Sequence, residues 1–196
     1  MLTAAFVDPV SSAQATFRAI LDAMARPGSL RPLTVSLSAP PPMNRGAAAV
    51  ALTLCDQDTP VWLDAELRAS ARVCEWLRFH CGCPLVEEPE QAAFAFVSRA
   101  ADVPAFEDFN IGTADYPDRS TTVVLQVKTL SSAPGLVLTG PGIRDARTLN
   151  AELLPNDMVR RLARNRSLFP RGVDLILATQ DAVAALPRSV RVLEET

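Results

Sequence analysis

Two side chains limit the covalent chemistry open to this chain. His80 is its single histidine and Lys128 its single lysine, the other eighteen of the nineteen basic residues being arginine. A serine nucleophile activated by an imidazole would have to use His80, and a Schiff base would have to form on Lys128. A multi-histidine metal site cannot be assembled from one such chain. His80-Cys81-Gly82-Cys83 sets an imidazole beside two thiols, a combination suited to a soft metal or to redox work. Three ligands at such short spacing do not complete a tetrahedron, so Cys55 or Cys74 would have to supply the fourth. The plainer expectation is a helix end where His80 meets free carbonyls and the cysteines pack as small apolar groups.

Three turns join arginine to glycine: Arg26-Pro27-Gly28, Gly140-Pro141-Gly142-Ile143-Arg144 and Arg171-Gly172-Val173-Asp174. Backbone N–H groups at a glycine turn, with a guanidinium beside them, suit a phosphate. That makes Arg26, Gly28, Gly140, Gly142, Arg144 and Arg171 the candidate substrate- or phosphate-binding residues. The Gly-Lys-Ser/Thr of a nucleotide-binding loop and the third spaced glycine of a dinucleotide fingerprint are both absent, and tight-turn geometry is the simpler account of each turn. Lys128 ends the alternating run Val123 to Val127, where a lysine is ordinarily solvated. Asp56 and Asp58 flank Gln57 in a turn, and acids there serve caps and turns. No catalytic, metal-binding or cofactor-binding residue is assigned.

The elements that position these groups read as follows. A helix from about Ser12 to Ala25 carries Phe17, Ile20, Leu21 and Met24 at helical spacing, with Ser11 or Ser12 as its cap. Ser29 to Leu37 alternates like a half-buried strand, with Pro32 confining its first half to a sheet edge. Asn44 caps a buried, alanine-rich helix through about Leu54, Thr59 to Leu63 is a short strand, and a helix runs from about Glu66 to Phe79. Ala93 to Val97 is a strand; Asp102 to Tyr116 has mixed signals and reads as a helical turn and loop. Thr121 to Thr129 and Leu136 to Thr139 read as a hairpin joined by a turn at Leu130 to Gly135. A helix from Asn156 to Arg166 faces Met158, Leu162 and Ala163 inward. Val173 to Thr179 is a continuously apolar central strand, and Ala184 to Leu193 a last strand interrupted at Pro187. Helices interleaved with single strands and a hairpin give an α/β class, a single domain with a mixed sheet flanked by helices.

Composition narrows the partners. The 196 residues are 48% hydrophobic and 21% charged with net charge −3, and the pI near 5.2 provides no basic field for nucleic acid. Arg160, Arg161, Arg164 and Arg166 read as a solvated helix face or protein interface. The N-terminus lacks the pattern of a signal peptide, and the longest apolar stretch, Ala47 to Cys55, is too short to span a membrane. A cytoplasmic protein with reduced thiols is therefore expected.

An ordered series of motifs completes the reading: Phe17-Arg18, Arg26-Pro27-Gly28, Leu52-Thr53-Leu54, Asp58-Thr59-Pro60-Val61-Trp62-Leu63, Phe79-His80, Leu138-Thr139-Gly140-Pro141-Gly142-Ile143, Phe169-Pro170-Arg171-Gly172-Val173-Asp174-Leu175-Ile176-Leu177 and Leu186-Pro187-Arg188. In order and spacing, over nearly the whole chain, it resembles the PhnH family, the H subunit of the bacterial carbon–phosphorus lyase system. The resemblance implies one PhnH-like domain over residues 1–196, with a reduced PLP-dependent transferase fold that has lost the cofactor site. It further implies a homodimer and assembly with the G, I and J subunits into a core complex. With an L subunit, that complex replaces the adenine of ATP by an alkylphosphonate to give ribose 1-alkylphosphonate 5-triphosphate. This chain would be a non-catalytic subunit, inactive when isolated, that contributes arginines to an anionic small-molecule ligand at most. The alternative is a free-standing phosphate- or nucleotide-binding enzyme using Arg26, His80, Arg144 or Arg171.

Overall fold

The computed structural model describes residues 5–193. Helix α1 (Pro9–Ala25) starts at Asp8, whose carboxylate accepts from the Ser11 N–H at 3.1 Å, with proline in the first turn where no N–H is needed. After the short edge strand β1 (Arg31–Pro32), Asn44 caps α2 (Arg45–Leu54) by accepting from Ala47 N at 2.7 Å. Then come β2 (Val61–Leu63), α3 (Ala65–Ala69), α4 (Ala71–His80), β3 (Leu85–Val86) and β4 (Phe94–Val97). The remainder is β5 (Thr122–Gln126), β6 (Leu130–Thr139), β7 (Arg147–Ala151), α5 (Met158–Ser167), β8 (Asp174–Ala178), β9 (Ala182–Leu186) and β10 (Arg191–Leu193).

Seven strands form the main sheet in the order β1-β9-β8-β5-β4-β2-β3, and three form a second sheet in the order β10-β6-β7. From β8 to β3 every neighbouring pair is parallel, whereas β9 and β1 are antiparallel additions at one side. Alternation along the central strands sends Val124 and Ile176 to one face and Val123, Leu125, Leu175 and Leu177 to the other. The first face packs against Ile20 and Ala23 of α1, the alanines of α2, and Val73, Trp76 and Leu77 of α4. The second is covered by Phe106, Phe109, Met158 and Leu162, together with Leu138 and Leu149 of the small sheet. Strands covered on both faces must be apolar on both, which is why β5 and β8 are nearly continuous hydrophobic runs. The mixed α/β class and the helix-flanked mixed sheet are as the sequence predicts.

Several elements differ. The hairpin expected between Thr121 and Thr139 does not form: β5 enters the large sheet, and Leu130–Gly135 is strand, the first half of β6. The hairpin lies one strand later, between β6 and β7, with a register shift between Ser131 and Leu136. The strand expected over Ser29 to Leu37 pairs only at Arg31–Pro32, although Leu33 and Val35 are buried in the predicted alternation. Ser70 splits the third helix in two, because its backbone is extended and its side chain accepts from Val73 N to begin α4. Phe17 and Leu21, placed in the core by periodicity, are 49% and 56% exposed; Ile20 is buried as expected, with Thr16 and Ala23 beside it on the inward side. On α5 Ala163 is exposed, and Asn165 takes an inward position, exchanging hydrogen bonds with the backbone of Val173 at 2.9 Å. The last strand is two: β9 pairs with β8, and β10 joins the small sheet. No helix among the described residues is long and apolar enough to cross a membrane.

Candidate functional site

The first two glycine-arginine turns meet. Gly28 adopts φ 71° at the end of α1, with Leu138 and Arg147 packed where a side chain would be. Gly142, at φ 80°, lies against the carbonyl of Ala25 and the ring of Pro27. Arg147 binds the two turns, its Nη1 donating to the carbonyls of Arg26 at 3.0 Å and Pro27 at 2.8 Å. The N–H of Gly28 donates to Ala185 O and that of Ile143 to Gly140 O, so these groups are committed within the fold. Arg26 pairs with Asp22 one turn back, while Arg144 is exposed. Arg171 is exposed in the turn between α5 and β8, where Gly172 packs on Asn165 and donates to Ile111 O.

His80 closes α4, its ring against Trp76 and Phe79 at centroid distances of 5.0 and 4.9 Å. Beside it the Cys81 thiol hydrogen-bonds Cys83; that bond, with burial, pushes the Cys81 thiol up, and the same bond holds Cys83 down against its own burial. Burial pushes the Cys55 thiol up as well. The Cys74 thiol turns to the carbonyl of Arg68 at 3.5 Å. Among the described residues no group of three or more His, Cys, Asp or Glu side chains is arranged to hold a metal ion. The arginines of α5 divide. Arg160 and Arg164 are exposed, whereas Arg161 reaches inward to Asp157 and to the carbonyls of Val103 at 3.0 Å and Pro104 at 3.1 Å.

A cleft of about 530 Å³ opens where the parallel strands β4, β5 and β8 end. Ser98 to Ala101 follow β4, Gln126 to Lys128 end β5, Gln180 follows β8, and Asn44 starts α2; Leu153 completes the wall. In open α/β sheets this carboxyl end of the strands is where ligands bind. The start of α2, which would ordinarily attract an anion, is closed from within. The N–H groups of Asn44, Arg45 and Ala47 donate to Gln126 Oε1, Gln180 Oε1 and Asn44 Oδ1, and that of Gly46 to Thr179 O. Gly46 makes this approach feasible, since a Cβ there would collide with the Thr179 carbonyl.

Lys128, whose side chain is 69% exposed, reaches Glu152 at 3.2 Å, and Arg99 forks onto Asp102 at 2.8 and 3.0 Å. Hydrogen bonding to Asp102 holds the Arg99 guanidinium above its ordinary value. Exposed pairs of this kind contribute little to stability. Leu153 has φ 72°, the one positive value at a non-glycine among the described residues, and its side chain is 70% exposed. Of these groups the sequence reading weighed Asn44, as a cap, and Lys128, as a solvated strand end. Arg99, Gln126 and Gln180 were missed. The usable signal was the polar residues within two positions of the end of each apolar strand of a parallel sheet: Gln126, Ser98-Arg99 and Thr179-Gln180.

Similarity to known proteins accords with the motif series. The family model for the bacterial phosphonate metabolism protein PhnH matches residues 4–193. The alpha-D-ribose 1-methylphosphonate 5-triphosphate synthase subunit PhnH of Rhizobium meliloti (strain 1021) is 42% identical over 191 residues, 97% of this chain and 95% of that protein. A candidate C-P lyase subunit protein, HtxG of Stutzerimonas stutzeri, is 34% identical over 82 residues, 42% of each chain. By the family model and by full-length identity, the chain belongs to the PhnH family.

Proposed function

We propose that this chain is a non-catalytic subunit of a carbon–phosphorus lyase core complex, supporting formation of ribose 1-alkylphosphonate 5-triphosphate from ATP and an alkylphosphonate. The observation that carries this reading is the 42% identity, over almost the full length of both chains, to a synthase subunit of that name. The placement of the reactive side chains supports it. His80 ends α4 against aromatic rings, Lys128 is paired with Glu152, Arg26 closes α1, and Arg171 stands between α5 and β8. Only the turns that carry Arg26 and Arg144 meet; His80 and Arg171 lie on other elements, which favours the subunit reading over a free-standing enzyme built on all four. In the same reading residues 1–196 make one domain, the protein is cytoplasmic, and the seven-stranded sheet is a reduced PLP-dependent transferase fold without its cofactor site.

The partners are the G, I and J subunits and a second copy of this chain. Support for the second copy comes from α1, where Val10, Phe17 and Leu21 are exposed at helical spacing with Gln14 between them, and from Val7, exposed just before the helix begins. Val7 and Leu21 stand seven residues either side of Gln14, and Val10 and Phe17 four and three, so the spacing is close to symmetric about residue 14. An antiparallel two-fold there sets Val10 near Phe17 of the other copy and Val7 near Leu21. These side chains expose roughly half of the ~800 Å² that each partner of a standard interface contributes. With the N–H groups of Gly28, Ile143 and Gly172 committed within the fold, the exposed side chains of Arg144 and Arg171, and Arg26 in exchange for Asp22, are the guanidinium part of the glycine-arginine expectation open to an anionic ligand.

Co-expression with the G, I and J subunits, purification through a tag on this chain and mass measurement by light scattering test the assignment. Co-purification of the three subunits is expected, with no release of adenine from ATP and methylphosphonate by the isolated chain. Turnover by the isolated chain, or failure to co-purify, would overturn it.

A further inference from the structure

The cleft at the ends of β4, β5 and β8 belongs to neither the paired turns nor the α1 face. It contains no acidic side chain in its lining, while Arg99 and Lys128 enter it from neighbouring strand ends. The side-chain amides add to this bias. The oxygens of Asn44, Gln126 and Gln180 each accept a backbone N–H at the start of α2, which turns the amide oxygens toward the helix and leaves N–H as the larger part of what these amides offer elsewhere. Asn44 Nδ2 also donates to Ala178 O at 2.8 Å and Gln126 Nε2 to Pro42 O at 3.3 Å, each using one of two hydrogens. Closing the helix terminus has thus replaced backbone donors by side-chain donors facing a cavity. Of its remaining walls, Ala100, Ala101, Val127 and the exposed Leu153 are apolar, and Ser98 is polar with its hydroxyl donating to Asp64 Oδ2 at 2.6 Å.

From this we infer that the cleft binds a small molecule with an oxyanion head and an apolar body. Lys128 and Arg99 take the head by exchanging Glu152 and Asp102 for it, with the Gln126 and Gln180 amides donating beside them. The apolar body lies on Val127, Ala101 and Leu153. A volume of about 530 Å³ suits a small metabolite. Phosphoryl and carboxylate heads share the recognising chemistry. The inference does not depend on the subunit assignment, since the isolated chain contains every residue it uses.

Phenyl phosphate, inorganic phosphate and benzoate are the probes, titrated into the isolated chain by calorimetry and by amide chemical-shift mapping. Saturable binding of phenyl phosphate is expected, with shifts at Gln126, Lys128 and Gln180 and tighter binding than inorganic phosphate. Benzoate binding as tightly as phenyl phosphate identifies a carboxylate ligand, and weaker benzoate binding a phosphoryl one. Lys128→Ala and Arg99→Ala should each weaken binding about tenfold or more, the loss of a charged hydrogen bond. Glu152→Gln, which frees Lys128, should tighten it, and Arg72→Ala on the exposed side of α4 should leave it unchanged. Absence of saturable binding by any probe overturns the inference, as does affinity unaltered in both Lys128→Ala and Arg99→Ala.

Discussion

Arg188 grips Asp174, fourteen residues earlier, where β8 begins. Its backbone N–H donates to Oδ1 at 2.8 Å, its Nε to the same oxygen at 3.1 Å, and its Nη2 to Oδ2. The guanidinium also donates to the carbonyl of Pro117, and both side chains of the pair are only 14% exposed. Arg188 belongs to the motif Leu186-Pro187-Arg188 and Asp174 to the run from Phe169 to Leu177, so two separate sequence signatures meet in one ion pair. A pair so buried is strongly coupled: removing one partner strands the other charge in a poorly hydrated site.

Asp174→Ala and Arg188→Ala are each expected to cost about 3–5 kcal/mol in urea unfolding. The double substitution should cost clearly less than the sum of the two, because no charge is then left unpaired. Strict additivity would show that the two side chains act independently.

Gly46→Ala should be among the most damaging small substitutions in the molecule. An added methyl meets the Thr179 carbonyl that accepts the Gly46 N–H, and residues 46–51 of α2 are buried against the sheet. A loss of about 1–3 kcal/mol is expected, the range for overpacking a filled core. Ala49→Gly, in the same helix, provides a comparison with no collision, in which about 1 kcal/mol of helix propensity and about 1 kcal/mol from one buried methyl are lost.

Asp157 links stability to pH. Hydrogen bonds from Arg161, and then from Arg160, hold its carboxyl below the ordinary value of 3.8. A lowered folded-state pKa gives a contribution fully present above the unfolded value and lost as pH falls through the folded one. Stability measured by urea midpoints should therefore decline below about pH 4. Asp157→Asn should flatten that decline; an unchanged acid limb in this variant would place the linkage elsewhere.

Phe17→Glu and Leu21→Glu should convert a dimer of the isolated chain to monomer without loss of helix content, because both side chains already face water in one copy. Gln14→Cys, near the inferred two-fold, should cross-link to itself under mild oxidation. A dimer that survives both glutamate variants would put the interface on another face, and a monomeric wild type would remove the second copy itself.

Much of the fold was legible from local pattern. The cap at Asn44, the buried alanine-rich helix behind it, the edge role of Pro32 and the centrality of Val173 to Thr179 all follow from short-range signals. Capping, proline geometry and two-sided burial act within a few residues, so the sequence carries them without knowledge of the fold. The ordered motifs likewise identified the family.

Partner choice between strands lay beyond that range. Leu130 to Gly135 looks like a turn until β7 pairs with it, and Phe17 looks like core until Ile20 and Ala23 take the inward side of α1. Both outcomes turn on contacts that alternation and helical periodicity do not encode, since a strand shows which face it buries but not beside which strand it lies. The same holds for the cleft. Asn44, Arg99, Gln126, Lys128 and Gln180 are scattered from residue 44 to residue 180, and only the parallel ordering of β4, β5 and β8 brings their donors to one mouth. By itself the sequence determined the elements, their caps, the family and the scarcity of catalytic side chains; the tertiary structure decided which polar groups remain free, because that depends on which others have found partners across the chain.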